Sequence, residues 1–131
     1  MSERKRPVVV AAGMGVTALV LAGCASASGA DVSRVAAAFE NRSVDAQTRC
    51  ELLAPATLNS VAQSSPCEEE IAHLPLQGGP VRSVQVWGGN AQVKLGGDTV
   101  FLTRTDGGWR VTAALCQPRG EAPYDCQVDA P

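Results

Sequence analysis

The chain has 131 residues, 18% of them charged, with 13 acidic and 11 basic side chains and a single histidine. That is room for one small domain. A slight acidic excess is the wrong footprint for a nucleic-acid surface, and one histidine offers little to a zinc site.

Arg4, Lys5 and Arg6 open the chain, and residues 7–23 follow without a charge. A basic start, an apolar run and then small residues make up a secretory signal peptide, expected over residues 1–23. The run is at the short end of the roughly 17–25 residues that span a bilayer, so an uncleaved membrane anchor is the rival reading. Leu21-Ala22-Gly23-Cys24 closes the run. This tetrad resembles the lipobox of bacterial lipoproteins, a Leu and two small residues before a Cys. The resemblance implies lipid (palmitate-type acyl chains) on the Cys24 thiol and cleavage just before it. It also implies a place on the extracytoplasmic face of the cell membrane. Two or three acyl chains anchor stably, at roughly 0.8 kcal/mol per buried methylene, where one is marginal.

Losing residues 1–23 removes three basic residues and one acidic one. Eight basic residues then face twelve acidic ones in a mature chain of 108 residues. After Cys24, residues 25–30 (ASASGA) read as a flexible tether with a reach of about 13 Å. The remaining residues, 31–131, are expected to form one α+β domain.

Residues 31–42 read as a helix. Val32, Val35, Ala36 and Phe39 recur at helical spacing on one face, and Asp31 is placed to cap it. Asp45 is placed to cap a helix over residues 46–53, and Pro55 to open a further turn with Leu58, Val61 and Ala62 inward. These two pieces read as either two helices or one bent helix. Ser65-Pro66-Cys67-Glu68 has the form of a capping box, with Glu68, Glu69 and Glu70 in the first turn, where the helix dipole favours negative charge. Leu74-Pro75 ends that helix.

About four strands follow, over residues 81–87, 91–95, 99–104 and 109–115. Ala91, Val93 and Leu95 alternate with polar residues, as do Trp109, Val111, Ala113 and Leu115. These seven positions are expected to face inward. Residues 99–104 carry Val100, Phe101 and Leu102 in a row, which suits a central strand. Gly88-Gly89-Asn90, Gly96-Gly97-Asp98 and Asp106-Gly107-Gly108 are hairpin turns, so the pairing is antiparallel. Residues 117–131 read as a tail.

Cys24 aside, four cysteines remain: Cys50, Cys67, Cys116 and Cys126. An even number in an exported domain points to two disulfides. Three pairings are possible, and the sequential one, Cys50 with Cys67 and Cys116 with Cys126, is preferred. A zinc site lacks any closely spaced Cys pair, so no metal and no cofactor are expected.

Gly108-Trp109-Arg110-Val111, preceded by Asp106-Gly107, resembles the closing hairpin of small NTF2-like (cystatin-like superfamily) domains. Helices followed by an antiparallel meander are similar too. With the lipobox and four further cysteines, the chain resembles a group of exported lipoproteins of high-GC Gram-positive bacteria. The resemblance implies a curved sheet wrapped on N-terminal helices, with room for a small molecule. Such a pocket is expected to be apolar, lined by Trp87, Val93, Trp109 and Val111.

Enzymes of that superfamily work through Asp, His or Tyr projecting into the cone, and no residue here matches. The expected strands hold no Asp or Glu, and the ionisable groups fall in helix starts, turns and the tail. No catalytic residue is therefore assigned. The expectation is a membrane-anchored binding or accessory domain, meeting a small apolar ligand or another envelope protein and no nucleic acid. The alternatives are an enzyme with a dispersed polar site, such as one built from Glu69, His73, Asp98 and Tyr124, and a purely structural envelope component.

Overall fold

Alternation builds the sheet, and the apolar stripe of one helix covers it. The computed structural model describes residues 8, 10–13, 15 and 23–131. In the first turn of its first helix only the backbone is described. Most of the expected signal peptide and the side chain of Cys24 therefore lie outside the described residues. The elements in order are α1 (Gly23–Glu40), α2 (Ala46–Glu51), α3 (Pro55–Val61), α4 (Cys67–His73), β1 (Val81–Trp87), β2 (Asn90–Leu95), β3 (Thr99–Thr105), β4 (Gly108–Arg119) and β5 (Ala122–Val128). The protein is α+β, with helices packed on an open antiparallel sheet of order β1-β2-β3-β4-β5.

Residues directly opposite on neighbouring strands share a face. Val84 lies opposite Val93, Val93 opposite Val100, and Leu102 opposite Val111. Together with Ala91, Leu95 and Trp109 they form the inner face. Val32, Val35, Ala36 and Phe39 of α1 are buried in the same core. No helix among the described residues is long and apolar enough to cross a membrane.

Five strands replace the expected four. Residues 122–128, read from sequence as part of a tail, pair with the end of β4, with Ala114 opposite Val128 and Cys116 opposite Cys126. Pro123 and Gly120 hid this strand, because neither favours one and the segment alternates poorly. β5 also carries Asp125, so the strands are not free of acidic residues. It covers only the far half of the β4 edge. Nearer the start of β4 the α2–α3 connection takes its place. Val111 donates to Leu52 O and accepts from Ala54 N, each at 2.8 Å, and Thr57 donates its hydroxyl to Thr112 O at 2.9 Å. The edge is thus closed by backbone rather than left open.

The helices depart from expectation at four ends, one of them that of α2, which stops at Glu51 and not at residue 53. α1 starts at Gly23 and takes in residues 25–30, expected to be a tether. Alanine and serine carry little penalty in a helix, and no proline interrupts the run. Asp31 therefore sits inside the helix and pairs with Arg34 at 3.4 Å instead of capping it. α1 also stops at Glu40, two residues early. α4 starts at Cys67, one residue later than the capping box requires, so Ser65 makes no cap bond. Asp45 does cap α2, accepting from Thr48 N at 2.9 Å, a bond that holds its carboxyl below the usual range. α2 and α3 are separate helices.

The disulfides join Cys50 to Cys67 and Cys116 to Cys126. The first ties α2 to α4, helices of 6 and 7 residues that are too short to persist alone. The second joins strands already linked by hydrogen bonds. Replacing Cys50 and Cys67 together by Ala should therefore cost roughly 3 kcal/mol, lowering Tm by about 10–20 °C. Replacing Cys116 and Cys126 should cost less. Calorimetry of the two double variants checks this, and the reverse order would show that the helices do not need their bridge.

Candidate functional site

Two polar constellations stand out against the apolar core, one buried and one open. The buried one begins with a bulge. Between Val111 and Ala113 the register of β4 shifts, so that Ala113 lies opposite Phe101 on the outer face. Leu115 then adopts φ 54°, a left-handed conformation that a leucine rarely takes. Ala113, still buried, accordingly leaves the inward series expected from alternation, and Ala114, fully buried, takes the inward place, while Leu115 is half-buried against the core.

Asp98 holds this irregular backbone. Its carboxylate accepts from Leu115 N at 2.7 Å, Cys116 N at 2.9 Å and Thr99 N at 2.7 Å. It also hydrogen-bonds the carboxyl of Glu40, at the end of α1. Two carboxyl groups share a hydrogen bond only if one is protonated, and the oxygens of Asp98 are already taken by backbone donors. The proton belongs to Glu40. Burial pushes the Glu40 pKa up to about 9, helped by the hydrogen bond and charge of Asp98 and opposed by Gly78 N–H and Arg49. Glu40 in turn accepts from Gly78 N at 3.2 Å. No group donates to its buried Oε1.

Arg49 completes the cluster. It donates Nε to Phe39 O at 2.7 Å and lies over the Phe39 ring at 5.7 Å. Glu40, Asp98 and Arg49 are all buried, contrary to the expectation that ionisable groups keep to solvated positions. Sequence reasoning missed them because each sits where exposure is the norm: a helix end, a hairpin turn and a helix surface. The sequence carries no signal of this burial, which shows only in the fold. Gly97 packs so closely under the chain that an added Cβ would meet Gln77 Cβ at 2.9 Å. That turn is therefore covered, and Asp98 beside it cannot be a free turn residue.

The open constellation is a cleft of about 630 Å³ between α1 and the β3–β4 turn. Ala27, Ser28, Asp31 and Arg34 line it from α1, and Arg104, Trp109 and Arg110 from the hairpin. The Arg104 guanidinium lies 5.9 Å from the Trp109 ring centre, and Arg110 donates to Trp109 O at 3.0 Å. Gly107 leaves the space that Arg110 fills, since a Cβ there would come within 3.0 Å of its Nη2.

Of the four residues expected to line an apolar pocket, only Trp109 borders this cleft. Val93 and Val111 are fully buried in packed core, and Trp87 is 50% exposed on the edge strand. The cleft is basic rather than apolar. Glu69, His73, Asp98 and Tyr124 do not meet in it. His73 borders a different groove with Arg42 and Asp45, and Tyr124 packs edge-on against Phe101 at 5.2 Å. Among the described residues no group of three His, Cys, Asp or Glu side chains is placed to hold a metal ion. No known protein family, curated protein or solved structure matches the chain.

The buried pair makes stability depend on pH. Glu40 titrates near 4.5 when exposed and near 9 when folded. The folded state thus keeps a proton that the unfolded chain releases. This contribution is complete below about pH 4.5 and is lost as pH rises toward 9. Thermal unfolding should give a lower Tm at about pH 8 than at about pH 5. Glu40→Gln, whose neutral amide still donates to Asp98, should flatten that slope, and an unchanged slope would remove Glu40 as its source. Asp98→Ala should cost at least roughly 2 kcal/mol, because three backbone N–H groups lose their acceptor. Denaturant titration reads that loss.

Proposed function

We propose that the chain is an extracytoplasmic lipoprotein, anchored in the cell membrane through Cys24, that works as a binding or accessory domain and not as an enzyme. Its contact site is the cleft beside Trp109. One observation carries this reading: the cleft is walled by residues 27–35 of the same helix that contains Cys24. A ligand or partner seated there meets the domain at its anchored end. Three guanidinium groups and an indole are groups of recognition. The finer fold assignment, NTF2-like, is part of the same proposal. It rests on the Gly108–Val111 ending and on helices preceding an antiparallel meander.

The enzyme reading has one observation in its favour, the Glu40–Asp98 pair, because Glu40 also borders a groove of about 410 Å³. Both carboxyls are engaged by backbone amides, which is the work of a structural pair. We therefore assign the pair to the fold.

Protein isolated from its own cells should begin at Cys24, carry acyl chains there and partition with membranes. Cys24→Ser should abolish the modification. Intact-mass measurement decides this, and an unmodified Cys24 or a chain still starting at Met1 would end the anchoring proposal.

A further inference from the structure

We infer that the cleft between α1 and the β3–β4 turn binds the phosphate of an anionic phospholipid in the membrane surface, an inference that rests on the anchoring proposed above. The charge of the cleft runs against the charge of the molecule. Beyond residue 23 acidic residues outnumber basic ones by twelve to eight, yet three of those eight basic residues line this one cleft. Arg34 is matched by Asp31 at 3.4 Å. Among the described residues, Arg104 and Arg110 have no carboxylate partner, and both border the cleft, Arg104 over the Trp109 ring and Arg110 at the Trp109 carbonyl. Two guanidinium groups without a counter-ion favour an oxyanion, and the planar fork of Arg matches phosphate oxygens in pairs.

Position selects the source of that phosphate. A helix rises 1.5 Å per residue, so Ala27 lies about 5 Å along α1 from Cys24, and Arg34 about 15 Å. The headgroup layer of one leaflet is roughly 5–8 Å thick. With acyl chains on Cys24 in the hydrocarbon, the near wall of the cleft reaches headgroup depth.

The test uses the lipid-bearing protein purified from membranes. It is reconstituted in vesicles of phosphatidylcholine alone, or of phosphatidylcholine with an equal part of phosphatidylglycerol. The rate of phenylglyoxal modification at each arginine is then read by peptide mass spectrometry. Arg104 and Arg110 should react several-fold more slowly in the anionic vesicles, while the exposed Arg82 and Arg119, outside the cleft, keep their rates. The protection should fade with added salt, and Arg104→Gln should remove it from Arg110. Equal rates in the two vesicles would overturn the proposal. Equal protection by inorganic phosphate on neutral vesicles would overturn it too, by assigning the cleft to a soluble anion. The acyl mass on Cys24 is measured on the same sample. Failure of the anchor is thereby distinguished from failure of the cleft.

Discussion

The carboxylate of Asp98 is the constraint on which the rest of the tertiary structure converges. It comes from the β2–β3 turn, satisfies two consecutive amides of the β4 bulge, and receives the proton of Glu40 at the end of α1. Glu40 passes the connection on to Gly78, and Gly78 O accepts from Gly97 N at 2.8 Å, back beside Asp98. Three segments distant in sequence are thereby closed into one ring, with the β4 amides branching from Asp98. An unpaired amide in that position would cost about 1–3 kcal/mol, which is why a left-handed Leu115 is tolerated there. The bulge that Asp98 supports sets the direction of β4 as it reaches Cys116, and so the place of β5.

The way the core is filled decides where a ligand can go. Val93, Val100 and Val111 on the sheet have no exposure, and neither have Val32, Ala36 and Phe39 on the helix above them. A domain of this size has few apolar side chains, and it spends them on closing that layer. Recognition is pushed to the margin, where the helix start and the hairpin tip diverge. There the side chains are long, polar and cationic, unlike the apolar lining expected of a cone. The proposed function follows from that displacement.

The helices other than α1 have a different task. α2, α3 and α4 are each under eight residues. They are held by a disulfide and by the bond pair from the α2–α3 connection to Val111. Their service is to cover the open edge of β4 and the flank of the core. An edge left bare would invite pairing with other chains.

What the sequence determined by itself was everything that depends on neighbours a few residues away. Alternation set β2 and the start of β4, glycine turns set antiparallel pairing, and i, i+3, i+4 spacing set the buried face of α1. Asp45 marked one helix start, and Pro55 another. Cysteine number limited the bridges to three arrangements, and the sequential one was legible because it closes the shortest loops. What only the tertiary structure decided were the features caused by distant contacts. Alternation predicts Ala113 facing inward and misses Ala114, because a register shift is set by the partner strand and by Asp98 and leaves no periodic mark. Residues 122–128 become a strand because β4 offers an edge and Cys126 a tie, not through their own propensity. Glu40 and Asp98 are both unremarkable when read locally. They share a proton because the fold removes water from around them, and desolvation is a property of the assembled structure alone.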